Sequence, residues 1–293
     1  MQPFEQQFEQ PIKQSAEQII THLPTELVLQ RIRFVLVATS LSGNIGAVAR
    51  AMKTMGLSRL ALVQPQHFPD ADAVARAAGA DDLLAQATVH SDLTTALTGC
   101  RLIIGASARR RSLHWPTLTP ETTAQQLLTE AAAGEVALVL GRENSGLTND
   151  ELAQCHYLVQ IPTNPAFSSL NLGAAAQVFA YEIHRIWLAM SQTNTQITCA
   201  ETVAPAVTHN NTEAIATAEE MAGFFAHLDD TLIQLGFAKS AHSATLRRRL
   251  RRLFNRARPD RVEINILRGI LRAATKQRRV NAIRDHHYPD HEV

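Results

Sequence analysis

The chain has 293 residues, 45% of them hydrophobic and 19% charged, which excludes wholesale disorder and suits one large domain or two ordinary ones. Its net charge of +1 hides an asymmetry: residues 247–279 hold 13 Lys/Arg against Asp260 and Glu263, a net +11, while the remainder has 15 basic and 25 acidic residues, a net −10. No apolar stretch approaches the roughly 20 residues of a membrane helix and the polar opening lacks a secretory core, so a soluble, cytoplasmic protein with no membrane partner is expected.

Residues 1–30 are Gln/Glu-rich with one apolar patch, Ile19-Ile20, and read as an N-terminal arm. Over residues 31–190 the pattern changes. Short runs rich in Val, Ile and Leu fall at Ile32–Val37, Leu60–Val63, Leu102–Ile104, Val136–Leu140 and Leu158–Ile161. Each is too short for a helix and suits a strand covered on both faces. Helix-like segments alternate with them at Ile45–Met55, Ala71–Ala78, Leu93–Leu97 and Glu121–Ala133, and a long helix near Leu170–Ala189 closes the body. This alternation implies an α/β fold with a mostly parallel sheet.

The polar stretch 191–216 reads as a linker. Thr217-x-x-Glu220 is a capping box opening a helix with Met221, Phe224, Phe225, Leu228, Leu232 and Leu235 at apolar positions. A second helix gathers Leu246, Leu250, Leu253 and Phe254 on one face, with Arg247, Arg248, Arg251 and Arg252 elsewhere around it. Pro259 suits the first turn of a third helix, with Ile264, Leu267 and Leu271 inward. Residues 217–280 thus form a small all-α module, basic outside, before a tail at 281–293. Such a module points to a polyanionic partner, the plainer alternative being a solvated helix face.

Ligands of open α/β sheets bind beyond the carboxyl ends of the strands, and three such ends here are rich in Gly, Ser and Asn. The first, Thr39–Gly46, precedes a helix carrying Arg50. It lacks both the G-x-G-x-x-G spacing and the P-loop Lys-Ser/Thr, which disfavours the usual dinucleotide and triphosphate sites. Asn44 reads as a site residue or simply a helix N-cap. Arg50 lies in the otherwise uncharged run Asn44–Met52, which favours anion binding over a surface ion pair. The second end runs through Gly141, Arg142 and Glu143, where Glu143 either holds a neighbouring arginine or accepts from backbone amides. The third, Ile161–Gly173, delivers Ser168, Ser169 and Asn171 to a helix start, and the small residues after it allow close backbone approach. No G-x-S-x-G elbow or Cys/His spacing suggests a nucleophile. Cys100, Cys155 and Cys199 never form C-x-x-C and the 12 histidines hold no H-E-x-x-H, so no metal site is expected.

The segments LSGNIGAVARAMKTMG, LVLGRENSGLTNDEL and IPTNPAFSSLNLGAAAQVFAYEI resemble, in order, the three motifs of the SPOUT superfamily of RNA methyltransferases. RRLFNRARPD and INILRGIL resemble the C-terminal extension of its TrmJ-type tRNA (cytidine/uridine-2′-O)-methyltransferases. The resemblance implies a C-terminal trefoil knot in the sheet, a homodimer, and S-adenosylmethionine held by Ala106, Ser107, Ala108, Gly141, Ile161, Ser168, Ser169 and Leu170. It implies catalytic positions at Arg50, Asn44, Glu143, Ser169 and Asn171, and 2′-O-methylation of nucleotide 32 in the tRNA anticodon loop. RNA contacts are expected from Arg109, Arg110, Arg111, Arg247, Arg248, Arg251 and Arg252. The extra N-terminal arm and Gly173-Ala174-Ala175, in place of bulkier residues after S-L-N-L, depart from the type. Another tRNA position, ribosomal RNA, or a non-catalytic RNA-binding role remain alternatives on the sequence alone.

Overall fold

The computed structural model describes residues 25–108, 115–196, 214–238 and 243–286. After a short helix α1 (Thr25–Leu29), the chain alternates through β1 (Ile32–Val37), α2 (Ser42–Thr54), β2 (Arg59–Val63), α3 (Ala71–Ala77), α4 (Asp81–Ala85), β3 (Thr88–His90), α5 (Leu93–Ala96) and β4 (Cys100–Ala106). It continues through β5 (Thr117–Leu118), α6 (Pro120–Ala131), β6 (Glu135–Leu140), α7 (Asn149–Leu152), β7 (Tyr157–Val159) and the long α8 (Leu172–Gln196). Every strand pair is parallel and the order is β3-β2-β1-β6-β4-β7-β5. All five expected strands are present. Two more, β3 and β5, pair at the sheet edges.

Alternate residues of the central strands enter different cores, as a two-residue period requires. Phe34, Leu36, Leu62, Ile104 and Leu138 pack beneath α2, α3, α6 and α8. Val35, Val37, Val63, Ile103 and Val139 face the other side, with Leu93, Trp115, Leu152 and Cys155. Gly173 at the start of α8 lies so close to α2 that a Cβ there would stand 2.7 Å from the Ala47 side chain. The expected close backbone approach is therefore real, and it seats α8 against the helix that carries Asn44.

α8 runs on to Gln196, past the expected boundary at 190. The C-terminal module comprises α9 (Ala218–Gln234), α10 (Ser243–Ala257) and α11 (Arg261–His286), the last extending into the segment read as a tail. Thr217 and Glu220 form the expected capping box. Pro259 stands before α11 rather than in its first turn; Asp260 caps the helix, accepting from the Glu263 amide at 2.8 Å. Met221, Phe224, Phe225, Leu228 and Ile264 form the module's core, with Leu250, Phe254, Leu267 and Leu271 against it.

Polar contacts fasten the module to the sheet domain. The buried Asn255 donates to the Ala153 carbonyl at 2.8 Å. Glu130 lies between Arg101 and Arg258, each 2.8 Å away. Burial alone would raise the Glu130 carboxyl, but the two guanidiniums outweigh it and keep the group ionised. Beside this contact His156 is buried; desolvation lowers its pKa to about 4, and its neutral Nδ1 accepts from the Ile103 amide at 3.0 Å. Among the described residues no helix is long and apolar enough to cross a membrane.

Candidate active site

Because β1, β6, β4 and β7 are consecutive and parallel, their carboxyl ends lie side by side along one edge of the sheet. A cleft opens there between the segments that follow β4, β6 and β7. Its floor includes Leu140, Val159, Leu172 and Phe179. Its walls include every residue expected to touch the cofactor: Ala106, Ser107, Ala108, Gly141, Ile161, Ser168, Ser169 and Leu170. Ser107 extends the β4–β7 pairing into the wall by donating its amide to the Val159 carbonyl at 3.0 Å.

The loop after β6 is built for close approach. A Cβ on Gly141 would collide with the Gly146 and Leu147 backbone, so no other residue fits without moving the loop. Arg142 does not pair with its neighbour Glu143. It reaches both carboxylate oxygens of Glu151 at 3.0 Å, while Glu151 also caps α7 by accepting from the Thr148 amide at 2.7 Å.

Glu143 is freed to point the other way. Its carboxylate accepts from the Ser40 amide (3.1 Å) and hydroxyl (3.0 Å), the Leu41 amide (3.2 Å) and Asn44 Nδ2 (2.9 Å). Burial pushes its pKa up, but these donors and its own amide hold it below the ordinary carboxylate value. Asn44 is not the N-cap; that position belongs to Leu41, and Asn44 stands two residues inside α2, largely buried. Its Oδ1 in turn accepts from Asn171 Nδ2 at 3.0 Å. Asn171 caps the start of α8, accepting from the Gly173 amide at 2.9 Å. One chain of hydrogen bonds, Glu143–Asn44–Asn171, therefore ties the segments that follow β1, β6 and β7 together.

Ser169 lines the cleft, whereas Arg50 does not. Arg50 is exposed on α2 and makes no hydrogen bond or ion pair among the described residues. Among the described residues the only ionisable side chains lining the cleft are Arg142 and Glu143, both already engaged. Cys155 is no nucleophile, since burial lifts its thiol to about 12. Among the described residues no cluster of three His, Cys, Asp or Glu could hold a metal. The described lining groups can therefore bind and orient a ligand.

Of the expected RNA contacts, Arg109, Arg110 and Arg111 lie outside the described residues. The α10 arginines are largely committed elsewhere. Arg247 Nε sits 3.4 Å from Asp229, too poorly aligned for a hydrogen bond, and Arg248 pairs with Asp150 at 3.0 Å. Arg251 covers the Phe225 ring at 4.8 Å, and Arg252 also makes a contact within the protein. The Arg142–Glu151 clamp and the Ser40 contact were missed from sequence. Thr148-x-x-Glu151 is a capping box that would have shown where Glu151 is held; Ser40 offers no comparable signal.

Residues 31–181 match the profile of the SpoU rRNA Methylase family. This match covers more than half the chain, which therefore belongs to the SpoU methylase family. Residues 219–283 match a second profile, tRNA methyltransferase TrmJ, C-terminal domain. The chain is 48% identical over 254 residues to tRNA (cytidine/uridine-2′-O-)-methyltransferase TrmJ of Escherichia coli K12, spanning 87% of this chain and 99% of that one. Its relative of the same name in Shigella dysenteriae serotype 1 gives the same figures. Among solved structures, TrmJ from Z. mobilis ZM4 superposes with a TM-score of 0.70 at 31% identity, over 82% of this chain and 97% of that one. A probable methylase family protein from Haemophilus influenzae Rd KW20 has a TM-score of 0.55 at 39% identity, over 86% and 99%.

Proposed function

We propose that the protein transfers a methyl group from S-adenosylmethionine to a ribose 2′-hydroxyl of tRNA, at cytidine or uridine 32 of the anticodon loop. The observation that carries this reading is the cleft, lined by backbone and small polar groups, whose segments after β6 and β7 are held in one arrangement with the start of α2 by Glu143, Asn44 and Asn171. The activity for which the relatives are named supports tRNA and the 2′-hydroxyl. Position 32 rests on the C-terminal resemblance.

The cleft fits the cofactor. Its apolar floor suits an adenine face, while Ser107, Asn144, Thr163 and Ser168 supply polar atoms for ribose, amine and carboxylate. Gly141 allows the chain to approach where any Cβ would block the loop. When bound, the sulfonium supplies an already activated methyl group. The protein's part is to place the hydroxyl in line with that carbon and to stabilise the oxygen as its proton leaves.

Glu143 is a positioning residue in this scheme, because its four donors leave it no role as a general base. Arg50 cannot serve as an ordinary base either, since a guanidinium carries only donors and does not give up its proton in proteins. It binds the phosphate beside the target ribose and stabilises the developing alkoxide electrostatically. Exposed Leu41, Phe167 and Leu170 near the cleft, and Tyr181 and Leu188 on α8, favour a homodimer that covers them. Arg50, uncommitted on α2, then serves an active site near the subunit interface. We further infer the trefoil knot: β7 inserts between β4 and β5, so the chain after β7 leaves from between earlier strands.

The test is to incubate the protein with methyl-labelled S-adenosylmethionine and unmodified tRNA transcripts, then map the 2′-O-methyl nucleotides. Label at nucleotide 32 is the expected result. Label elsewhere retains the chemistry and refutes the position; cofactor binding with no labelled tRNA refutes the substrate.

A further inference from the structure

The C-terminal module holds most of the chain's arginines, and the structure sorts them by whether anything inside the protein already neutralises them. Arg248, Arg258 and Arg261 have carboxylate partners, Arg247 lies against Asp229, and Arg251 covers a ring. Four exposed cations of the module make no hydrogen bond or ion pair among the described residues: Arg249, Arg256, Arg272 and Lys276. Leaving like charges together without counter-ions opposes folding, so their placement calls for an anion from outside.

Their arrangement is regular. At 3.6 residues per turn, Arg249, Arg252 and Arg256 fall within an arc of about 60° on α10. That arc lies opposite Leu250, Phe254 and Arg251, the side chains packed towards α9. Arg249 and Arg256 are two turns apart, about 10 Å along the axis. Arg272 and Lys276 make a second such pair on α11, about one turn apart. Flexible, exposed cations in rows contact a phosphate backbone without reading bases.

Resting on the tRNA reading above, we propose that Arg249 and Arg256, together with Arg272 and Lys276, are the phosphate-contacting residues of the module. Arg247, Arg248 and Arg251, expected from sequence to bind RNA, instead hold the module together and against the sheet domain. The RNA register on α10 is thus rotated away from the residues that its arginine run first suggests.

The test measures affinity of the full-length protein for a tRNA transcript across a series of salt concentrations. Each lost phosphate contact lowers the slope of log K against log salt by about 0.7–0.9. R249Q/R256Q and R272Q/K276Q should therefore each reduce its magnitude by about 1.5, and R249K/R256K should restore it. R247Q/R248Q should leave the slope unchanged while lowering the melting temperature. A normal slope in both Gln pairs, with wild-type tRNA binding intact, overturns this assignment and spares the tRNA reading. An equal loss of slope in R247Q/R248Q also overturns it. Wild-type protein that binds cofactor but no tRNA overturns both.

Discussion

Replacing Glu143 with glutamine probes the site at its most connected point. Two donors face each carboxylate oxygen: Ser40 N and Oγ on one, Leu41 N and Asn44 Nδ2 on the other. Glutamine offers one oxygen and one NH2, so whichever way it turns, one pair loses its acceptor. The Ser40 hydroxyl can rotate to accept, which makes the NH2 settle on that side and leaves the Ser40 amide opposed. Hydrogen bonds to a charged group are worth about 1.5–3 kcal/mol, and water replaces part of this at a half-exposed site, giving a net loss of about 2 kcal/mol. For a protein of this size that corresponds to roughly 4–8 °C in melting temperature. Because the folded state lowers the Glu143 pKa, its contribution is complete above the ordinary carboxylate range. It disappears as the pH falls through the folded-state value. Melting curves of wild type and E143Q should therefore differ most near pH 7 and begin to converge only once the pH falls below the ordinary glutamate value of about 4.3. Methylation should fall at least about tenfold as the Ser40 segment loses its anchor and the Asn44 contact loses its charge, with a smaller change in cofactor affinity. Equal melting at pH 7, or a gap that persists unchanged into acid, would refute the reasoning.

Arg50→Ala should abolish turnover with little change in S-adenosylmethionine affinity by calorimetry; a large loss of cofactor binding would contradict its assignment to the ribose and phosphate. Gly141→Ala forces the loop after β6 to move, which should cost about 1–3 kcal/mol and remove measurable cofactor binding; retained affinity would show that the loop yields easily. Asn255→Ala leaves the Ala153 carbonyl unpaired, destabilising by about 1–3 kcal/mol, and limited proteolysis should then cut between the sheet domain and the module sooner than in wild type. His156 is held neutral by burial, with a pKa of about 4, so the unfolded chain binds its proton first and stability should fall as pH drops from about 6.5 towards 4. NMR titration should find its imidazole still neutral at pH 5, and H156Q should flatten that part of the stability profile.

Much of this architecture was legible because buried parallel strands leave unbroken apolar runs. Phe34–Val37 and Val136–Leu140 are examples, and each contributes to both cores. β3 and β5 escaped because three and two residues, mostly exposed, carry no such run. The helices α4 and α7 are too short for a 3.6-residue period, although the capping box at Thr148 was readable. The cleft residues were legible only through their resemblance to ordered motifs, since nothing in spacing alone joins Glu143 to Asn44 across 99 residues. The committed arginines of α10 could not be recognised from sequence, because their partners Asp150 and Asp229 come from other helices.

The place of β7 also dictates when activity can first exist. Among the described residues β5 pairs with no strand other than β7, so Thr117 and Leu118 wait at the sheet edge for a segment synthesised some forty residues later. Asn171 must then reach Asn44 before the loops are fixed. A ribosome-bound chain that has not yet released its first 175 or so residues has every strand up to β6 available and still no site. Fragments ending before α8 should accumulate as inert sheet, and the enzyme begins to work only when its fold is complete.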